Sequence, residues 1–261
     1  MSGPVSLRRR AVLGGGLAFG MLLAAPRLRA DLVAAVPHIR PAVVAVGTYQ
    51  PRRNPAFRFL GTGFAVGDGR SIATNAHVVP EVLDGERMEE LAIAVADGQG
   101  TAVRRVERVA ADKDHDLVLL RIEGAALPAL ELAPDDSVRE GQSIAFTGFP
   151  IGNALGLTPV THRGIVSAIT PIGIPQARAR DLDPALIRRL SGERFDIYQL
   201  DATAYPGNSG SPVFDPHSRQ VIGILNMVLV KRTKESVLSD PSGISYAIPV
   251  RYLRAMLQTL R

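Results

Sequence analysis

The sequence predicts an all-β protein: two six-stranded antiparallel β-barrels in succession, closed by a C-terminal helix. Short apolar runs bounded by turn residues recur in two sets of six, which is typical of small barrels. Residues 127–141 are rich in Pro, Asp and Glu, lack strand periodicity and separate the two sets. After Pro249, apolar residues recur at helical spacing.

The first set predicts an N-terminal barrel over residues 31–135, entered through a short helix or arm at 31–41. Gly67-Asp68-Gly69 is typical of a tight hairpin turn. One helical turn is expected at 75–79, limited by Pro80. The strands are predicted at 42–48, 58–66, 71–74, 91–96, 102–110 and 117–122.

The second set predicts a C-terminal barrel over residues 136–248, followed by a helical segment at 249–261. Pro249 suits the start of that helix, which is expected over 250–260. Its apolar face consists of Tyr252, Leu253, Met256, Leu257 and Leu260. The strands are predicted at 143–148, 161–169, 197–201, 211–214, 221–230 and 244–248.

A long insertion, residues 170–196, lies between two strands of the second set. Within it Asp183 suits a helix N-cap, Pro184 the first helical position and Gly192 a position beyond the end, which predicts a short helix. The insertion is expected either to pack on its own barrel or to dock on a partner and control activity.

The sequence YPGNSGSPV at residues 205–213 places Ser209 between two glycines. A serine hydroxyl is a weak nucleophile that needs a base and donors for the oxyanion it creates. Gly207 lacks a Cβ, so its N–H can be aimed inward together with that of Ser209. The sequence alone also fits an ordinary Gly/Asn/Ser turn.

A histidine and a carboxylate occur upstream in suitable contexts. His77 follows a predicted strand in SIATNAHVV, and Asp116 lies in DKDHDLVLL. Asp112 and Asp114 compete for the carboxylate role, but Asp116 opens an apolar run that can bury it, whereas they lie in a charged turn. His115 is expected to point to solvent.

These motifs resemble those of the trypsin-like serine peptidases, and within them the HtrA/Deg group of bacterial envelope proteases. The matching segments GTGFAV, TNAHVV, DLVLL, LDATAYPGNSGSPVF, VIGI and SYAIP are spread over roughly residues 59–250. The resemblance implies a chymotrypsin-type fold with a triad of His77, Asp116 and Ser209, in the chymotrypsin order. It also implies an oxyanion hole at Gly207, Asn208 and Ser209. Ser211 stands where the family usually has a second glycine.

The resemblance also implies an uncharged substrate pocket. Its base is Thr203, six residues before Ser209, and Asp201 is interpreted as structural. A small or medium apolar residue such as Val, Ala or Leu is expected before the scissile bond. The candidates for the pocket wall are Tyr205, Leu225, Asn226 and Met227.

Composition excludes several other classes of protein. The chain has 261 residues and no cysteine, which rules out disulfides and zinc-thiolate sites. No two histidines have metal-ligand spacing, so neither a metal nor a cofactor is predicted. The net charge of +5 comes from five arginines in residues 1–30; the rest carries 25 basic and 25 acidic residues. No nucleic-acid partner is therefore expected.

Residues 1–30 are interpreted as an export signal. Arg9-Arg10-Ala11-Val12-Leu13 resembles a twin-arginine motif, and the uncharged stretch 11–25 is short for a membrane span. Cleavage after Ala30 is expected, and an uncleaved membrane anchor is the alternative. The predicted location is the periplasm or cell envelope.

The sequence therefore predicts an exported serine endopeptidase that acts on polypeptides in envelope protein quality control. One alternative is a protease of narrow, regulatory specificity; another is a peptidase-like binding module with little turnover. No PDZ domain is expected after the terminal helix. The resemblance implies a homo-oligomer, a trimer in many relatives.

Overall fold

The structure is a computed structural model that describes residues 32–97, 100–152, 156–171, 195–226 and 243–260. The chain enters the first barrel through helix α1 (Leu32–Ile39) and a 3₁₀ turn (Arg40–Ala42), and ends in helix α2 (Val250–Thr259). The predicted signal, the insertion helix and Met227 lie outside the described residues.

The first barrel closes in the order β1-β2-β3-β6-β5-β4, with antiparallel pairs throughout. All six predicted strands are present, and β5 is longer than predicted because it pairs with β4 along one half and β6 along the other. The strands are β1 (Val43–Tyr49), β2 (Phe57–Val66), β3 (Ser71–Asn75), β4 (Glu90–Asp97), β5 (Gly100–Asp112) and β6 (Leu117–Ile122).

The second barrel closes in the order β10-β11-β12-β9-β8-β7, which confirms the predicted pair of six-stranded barrels. Its strands are β7 (Ser143–Gly148), β8 (Val160–Pro171), β9 (Asp196–Asp201), β10 (Pro212–Phe214), β11 (Val221–Leu225) and β12 (Ile244–Pro249). The predicted strand 221–230 is described only as far as Leu225.

Apolar packing joins the two barrels. Phe64 of β2 and Phe214 of β10 are fully buried in one cluster that also takes in Leu253 of α2. Fully burying such a side chain contributes about 1.5–3 kcal/mol. Between the barrels, the N–H of Leu130 donates to the carbonyl of Ala65 at 2.9 Å, and that of Ala133 to Val221 at 2.8 Å. The segment 127–141, which connects the two barrels, is therefore hydrogen-bonded to both of them and fixes one barrel against the other.

Among the described residues, no helix combines the length and apolar character needed to cross a membrane.

His162 on β8 packs its ring on the fully buried Phe146, with centroids 4.9 Å apart and planes 20° apart. The ring of Tyr205 lies 5.9 Å away. The Nε2 atom of His162 is buried and has no hydrogen-bond partner within the part of the chain that the structure describes. Burial lowers the pKa of His162 below its ordinary value of 6.5, because the ring is removed from the water that would stabilise its charged form.

This environment makes His162 a source of acid sensitivity. Below about pH 6.5 the unfolded chain binds a proton at this position that the folded chain does not, so the free energy of unfolding falls as the pH falls. We expect the melting temperature of His162→Phe to decrease less than that of wild type between pH 7 and pH 5. The exposed His217→Gln serves as the matched control. An acid-induced decrease equal to that of wild type in His162→Phe would contradict this role.

Candidate active site

His77 lies where the first barrel meets the second. Strand β3 ends at Asn75, and the predicted helical turn is found as a 3₁₀ turn, Ala76–Val78. The Nδ1 atom of His77 lies 2.6 Å from Oδ2 of Asp116, and its backbone N–H donates to Oδ1 at 3.0 Å. A carboxylate only accepts, so the ring proton belongs on Nδ1. Nε2 is then the nitrogen with a free lone pair.

Asp116 is held in a left-handed backbone conformation, with a φ of 53°. Its carbonyl accepts the Ala76 N–H at 3.0 Å and the side-chain amide of Asn75 at 3.2 Å. Its side chain is 7% exposed, against 26% for His77. The turn before β6 is thus bonded to the turn that carries His77, which orients the carboxylate toward the imidazole.

Asn226, predicted as a candidate for the pocket wall, contacts the carboxylate of Asp116. It is almost fully buried, and its side-chain amide donates to Oδ2 of Asp116 at 2.7 Å. This contact joins the second barrel to the His77–Asp116 pair. Because Asn226 follows β11 and Asp116 precedes β6, their proximity depends on how the barrels dock, which the sequence pattern does not reveal.

Ser209 lies in the loop between β9 and β10 and is 7% exposed. A Cβ at Gly61 would lie 2.8 Å from Val78, next to His77, and 3.1 Å from the carbonyl oxygen of Ser209. Gly61 therefore lets the serine loop and the histidine turn approach each other. Both His77 and Ser209 are described, and no hydrogen bond joins their side chains. In ligand-free active sites such bonds are often long and shorten when substrate binds.

The backbone around Gly207 leaves two N–H groups available. Among the described residues, neither Gly207 nor Ser209 has a partner for its backbone N–H. The carbonyl of Pro206 accepts from Ile151 at 2.7 Å, and that of Asn208 from Ser211 at 3.0 Å. In a trans peptide the N–H points opposite to the carbonyl. The N–H groups of Gly207 and Ser209 therefore point away from these two bonds.

Glycine is required at position 207. Its φ is 98°, and a Cβ there would lie 2.4 Å from the carbonyl oxygen of Phe149. Asn208, also predicted to contribute to the oxyanion hole, has another partner for its backbone N–H. Its backbone N–H already donates to the carbonyl of Tyr205 at 3.0 Å, and its side chain is fully buried. The oxyanion donors proposed below are therefore the backbone N–H groups of Gly207 and Ser209, while the amide group of the Asn208 side chain is buried with no partner among the described residues.

The remaining pocket candidates differ in exposure. Thr203 and Tyr205 are half-buried and lie in the loop that leads to Ser209. Leu225 is fully buried in the core of the second barrel. Asp201 is exposed on β9.

Ser211 occupies space that Gly148 leaves open. An ideal Cβ at position 148 would lie 2.0 Å from the Ser211 hydroxyl oxygen and 2.9 Å from Oδ1 of Asn208. Ser211 is fully buried, and its hydroxyl has no hydrogen-bond partner in the described ranges. The Ser211 side chain therefore fits into its loop because residue 148 is a glycine.

We expect Gly148→Ala to lower stability by about 1–3 kcal/mol through overpacking against Ser211. Each kcal/mol corresponds to roughly 2–4 °C in melting temperature for a chain of this size. Adding Ser211→Gly should restore part of the loss, because it removes the shortest contact of the new Cβ, while those with Asn208 and Thr62 at 2.9 Å remain. Thermal melts of the single and double variants give the coupling; strictly additive changes would contradict the steric argument.

The expectation that His115 points to solvent is wrong. Its ring stacks on Tyr252 with centroids 3.9 Å apart and meets Phe195 edge-on at 4.6 Å. Its Nδ1 lies 2.6 Å from Oδ2 of Asp112. Helix α2 and the start of β9 pack against the turn before β6 and cover the ring. The pair of His115 and Asp112 is engaged with itself and lies apart from the His77–Asp116 pair.

The described ranges contain no group of three His, Cys, Asp or Glu side chains placed to hold a metal ion.

Two closed antiparallel barrels, with a His–Asp pair on the first and a glycine-bracketed serine on the second, define the class of chymotrypsin-fold proteins. The sequence model of the trypsin-like peptidase domain matches residues 61–224, and the chain belongs to this family of serine proteases.

Relatives with known names agree with this assignment. A protein of Halomonas elongata named as a DegP-like periplasmic serine endoprotease is 30% identical over 204 residues, which cover 78% of this chain and 35% of that protein. The chloroplastic protease Do-like 5 of Arabidopsis thaliana is 29% identical over 194 residues, covering 73% and 53%. The chain thus spans about a third to a half of the length of these relatives.

Solved structures show the same fold. The structure of Deg5 superposes with a TM-score of 0.59 at 23% identity, covering 85% of this chain and 90% of that one. The active form of the Rv3671c protease from M. tuberculosis gives a TM-score of 0.61 at 20% identity, covering 86% and 82%.

Proposed function

We propose that the chain is a serine endopeptidase in which Ser209 is the nucleophile, His77 the general base and Asp116 the residue that orients the base. The observation that carries this proposal is the 2.6 Å contact between Nδ1 of His77 and Asp116 beside the loop of Ser209. It leaves Nε2 of His77 as a proton acceptor at the edge of the ring that Asp116 does not contact.

In the proposed reaction the Ser209 oxygen attacks the peptide carbonyl while Nε2 of His77 takes the hydroxyl proton. The oxyanion that forms accepts hydrogen bonds from the N–H groups of Gly207 and Ser209, which have no other partner among the described residues. Collapse of this intermediate transfers the proton to the leaving amine. Water then attacks the acyl-enzyme by the same route, with His77 again as base.

Asp116 acts by fixing the imidazole. Its carboxylate accepts hydrogen bonds from the backbone N–H and Nδ1 of His77 and from the amide of Asn226. They hold the ring in the tautomer that leaves Nε2 unprotonated, and the negative charge stabilises the imidazolium formed during the reaction.

The proposed substrates are polypeptides with an apolar residue before the scissile bond. The pocket candidates Thr203 and Tyr205 are uncharged, so neither offers a counter-ion to a Lys or Arg side chain of the substrate. Unfolded proteins in the cell envelope are the proposed substrate class, and one specific protein partner is the alternative.

Cleavage of casein alongside a peptide library tests the substrate proposal. Broad cleavage of casein after Val, Ala or Leu is the expected result. Cleavage of a few library sequences with casein left intact would favour a narrow regulatory protease. Dominant cleavage after Lys or Arg would contradict the uncharged pocket.

We also propose that the protein is exported to the cell envelope by the twin-arginine route. The support is the Arg9-Arg10 pair before a weakly apolar stretch, together with the periplasmic names of relatives. Fractionation of cells that express a variant with lysine at both positions tests the route. Retention of the precursor in the cytoplasm is expected, and mature protein in the envelope would contradict the twin-arginine route.

Sedimentation of the mature protein tests the predicted homo-oligomer. A monomer would contradict that prediction.

A further inference from the structure

Thr62 on β2 connects the first barrel to the loop that carries Ser209. It is fully buried, and its backbone N–H donates to the carbonyl of Ser209 at 2.9 Å. Its hydroxyl donates to the carbonyl of Gly207 at 2.7 Å. One residue of the first barrel thus bonds both residues whose N–H groups are the proposed oxyanion donors.

The hydroxyl of Thr62 has a defined direction because it both donates and accepts a hydrogen bond. The backbone N–H of Phe149 donates to the hydroxyl oxygen at 3.1 Å, and the single hydroxyl hydrogen is therefore directed at Gly207. Phe149 also lies directly beneath Gly207, where a Cβ would approach its carbonyl oxygen. Thr62, Phe149 and Gly207 form one closed arrangement.

Thr62 itself is rigidly mounted. Its backbone pairs with Ala45 in the barrel wall, and its carbonyl accepts the hydroxyl of Thr74 at 2.6 Å. A β-branched side chain in a strand has few rotamers available. The backbone of Gly210 packs closely against the carbonyl of Thr62, since a Cβ at position 210 would lie 2.0 Å from that carbonyl oxygen. The hydroxyl is thus presented to the loop by a fixed support.

A fixed support is needed because Gly207 has little intrinsic preference for its conformation. Glycine crosses between backbone regions that other residues avoid, so the peptide that joins Gly207 to Asn208 rotates easily unless its groups are held. Its N–H is held by the carbonyl of Tyr205, and its carbonyl by Thr62. Loss of the second bond leaves this peptide held on one side only. The backbone of Gly207 is then less restrained, although the preceding peptide, which carries the Gly207 N–H, keeps its bond to Ile151.

We propose that Thr62 is a positioning residue for the oxyanion hole: its hydroxyl fixes the Gly207 peptide so that the N–H groups of Gly207 and Ser209 converge on the reacting carbonyl. This inference rests on the proposed serine endopeptidase function. It predicts that the hydroxyl contributes to transition-state stabilisation and little to substrate binding, because the donors it orients bond the developing oxyanion.

The test compares Thr62→Val and Thr62→Ala, which lack the hydroxyl, with Thr62→Ser, which keeps it. The rate is measured on a fluorogenic peptide with an apolar residue before the scissile bond, per active site titrated with a phosphonate. Both hydroxyl-free variants should lower kcat by about 10- to 100-fold, less than the roughly 10²–10³-fold effect of losing an oxyanion donor itself. KM should change little, and Thr62→Ser should recover most of kcat.

Thr48→Val is the matched control, since Thr48 is also a buried threonine of the first barrel whose hydroxyl is bonded, here to Glu89 at 2.6 Å. Its kcat per titrated site should equal that of wild type. Affinity for a peptide aldehyde, which forms a tetrahedral adduct with the serine, should fall in parallel with kcat in the Thr62 variants.

Three results would overturn the proposal: unchanged kcat per site in Thr62→Val or Thr62→Ala, no recovery in Thr62→Ser, or failure of both hydroxyl-free variants to fold. A purely structural role would lower melting temperature and yield while leaving kcat per titrated site intact. A wild-type protein that neither hydrolyses peptides nor reacts with the phosphonate would instead remove the proposed function, and the role of Thr62 with it.

Discussion

Replacing Ser209 with alanine is expected to lower kcat for peptide hydrolysis by on the order of 10⁴-fold or more, the effect of removing one member of a cooperating triad. The substitution removes the oxygen that is proposed to form the covalent bond to the substrate carbonyl carbon. No hydrogen bond of the Ser209 side chain to another described residue is lost, so the melting temperature should remain close to that of wild type. Steady-state kinetics on a fluorogenic peptide, with thermal melts, provide the measurement.

Ser211→Ala is the matched control for this substitution, because both serines lie in the same loop and both are buried. The hydroxyl of Ser211 has no partner in the described ranges, so its removal should leave the rate near that of wild type. A Ser209→Ala protein with wild-type kcat, or a Ser211→Ala protein that alone loses activity, would move the nucleophile away from Ser209.

The second large effect is expected for Asp116→Asn, which should lower kcat by about 10⁴-fold near neutral pH. An amide has one accepting oxygen where the carboxylate has two, yet donors approach both oxygens of Asp116. If the new NH₂ group faces Nδ1 of His77, the imidazole must carry its proton on Nε2. It then has no lone pair with which to take the Ser209 proton.

Asp112→Asn is the control, since Asp112 makes the same 2.6 Å contact with Nδ1 of His115. The two substitutions change the same chemistry at either end of the turn between β5 and β6, and only Asp116 is assigned to the reaction. Comparable losses of kcat in both variants would show that damage to this region, rather than loss of the orienting carboxylate, reduces activity. A wild-type rate in Asp116→Asn would remove Asp116 from the proposed triad.

Local signals in the sequence were sufficient for the strands and for the turn of His77. The barrels follow from alternating or continuous apolar runs, since β-strands of a closed barrel bury one face along their length. The 3₁₀ turn Ala76–Val78 follows from the end of an apolar strand and the proline at position 80. Asp116 could be separated from Asp112 because only Asp116 adjoins a buried strand.

Contacts between the barrels could not be predicted in this way. Asn226 and Asp116 are 110 positions apart, and Thr62 and Gly207 are 145 apart. Periodicity identifies which face of a strand is buried, but it does not say which residues of another barrel lie opposite. The same limit explains His115, whose polar neighbours in sequence suggested exposure, although Tyr252 and Phe195 from distant elements cover its ring.

The most direct test is to treat the mature protein with a fluorophosphonate and locate the adduct by intact and peptide mass spectrometry. The proposed mechanism predicts one adduct per chain, on Ser209, with labelling greatly slowed in His77→Ala and absent in Ser209→Ala. Labelling at another residue, equal labelling of wild type and Ser209→Ala, or no labelling of folded wild-type protein would contradict an activated serine at this site.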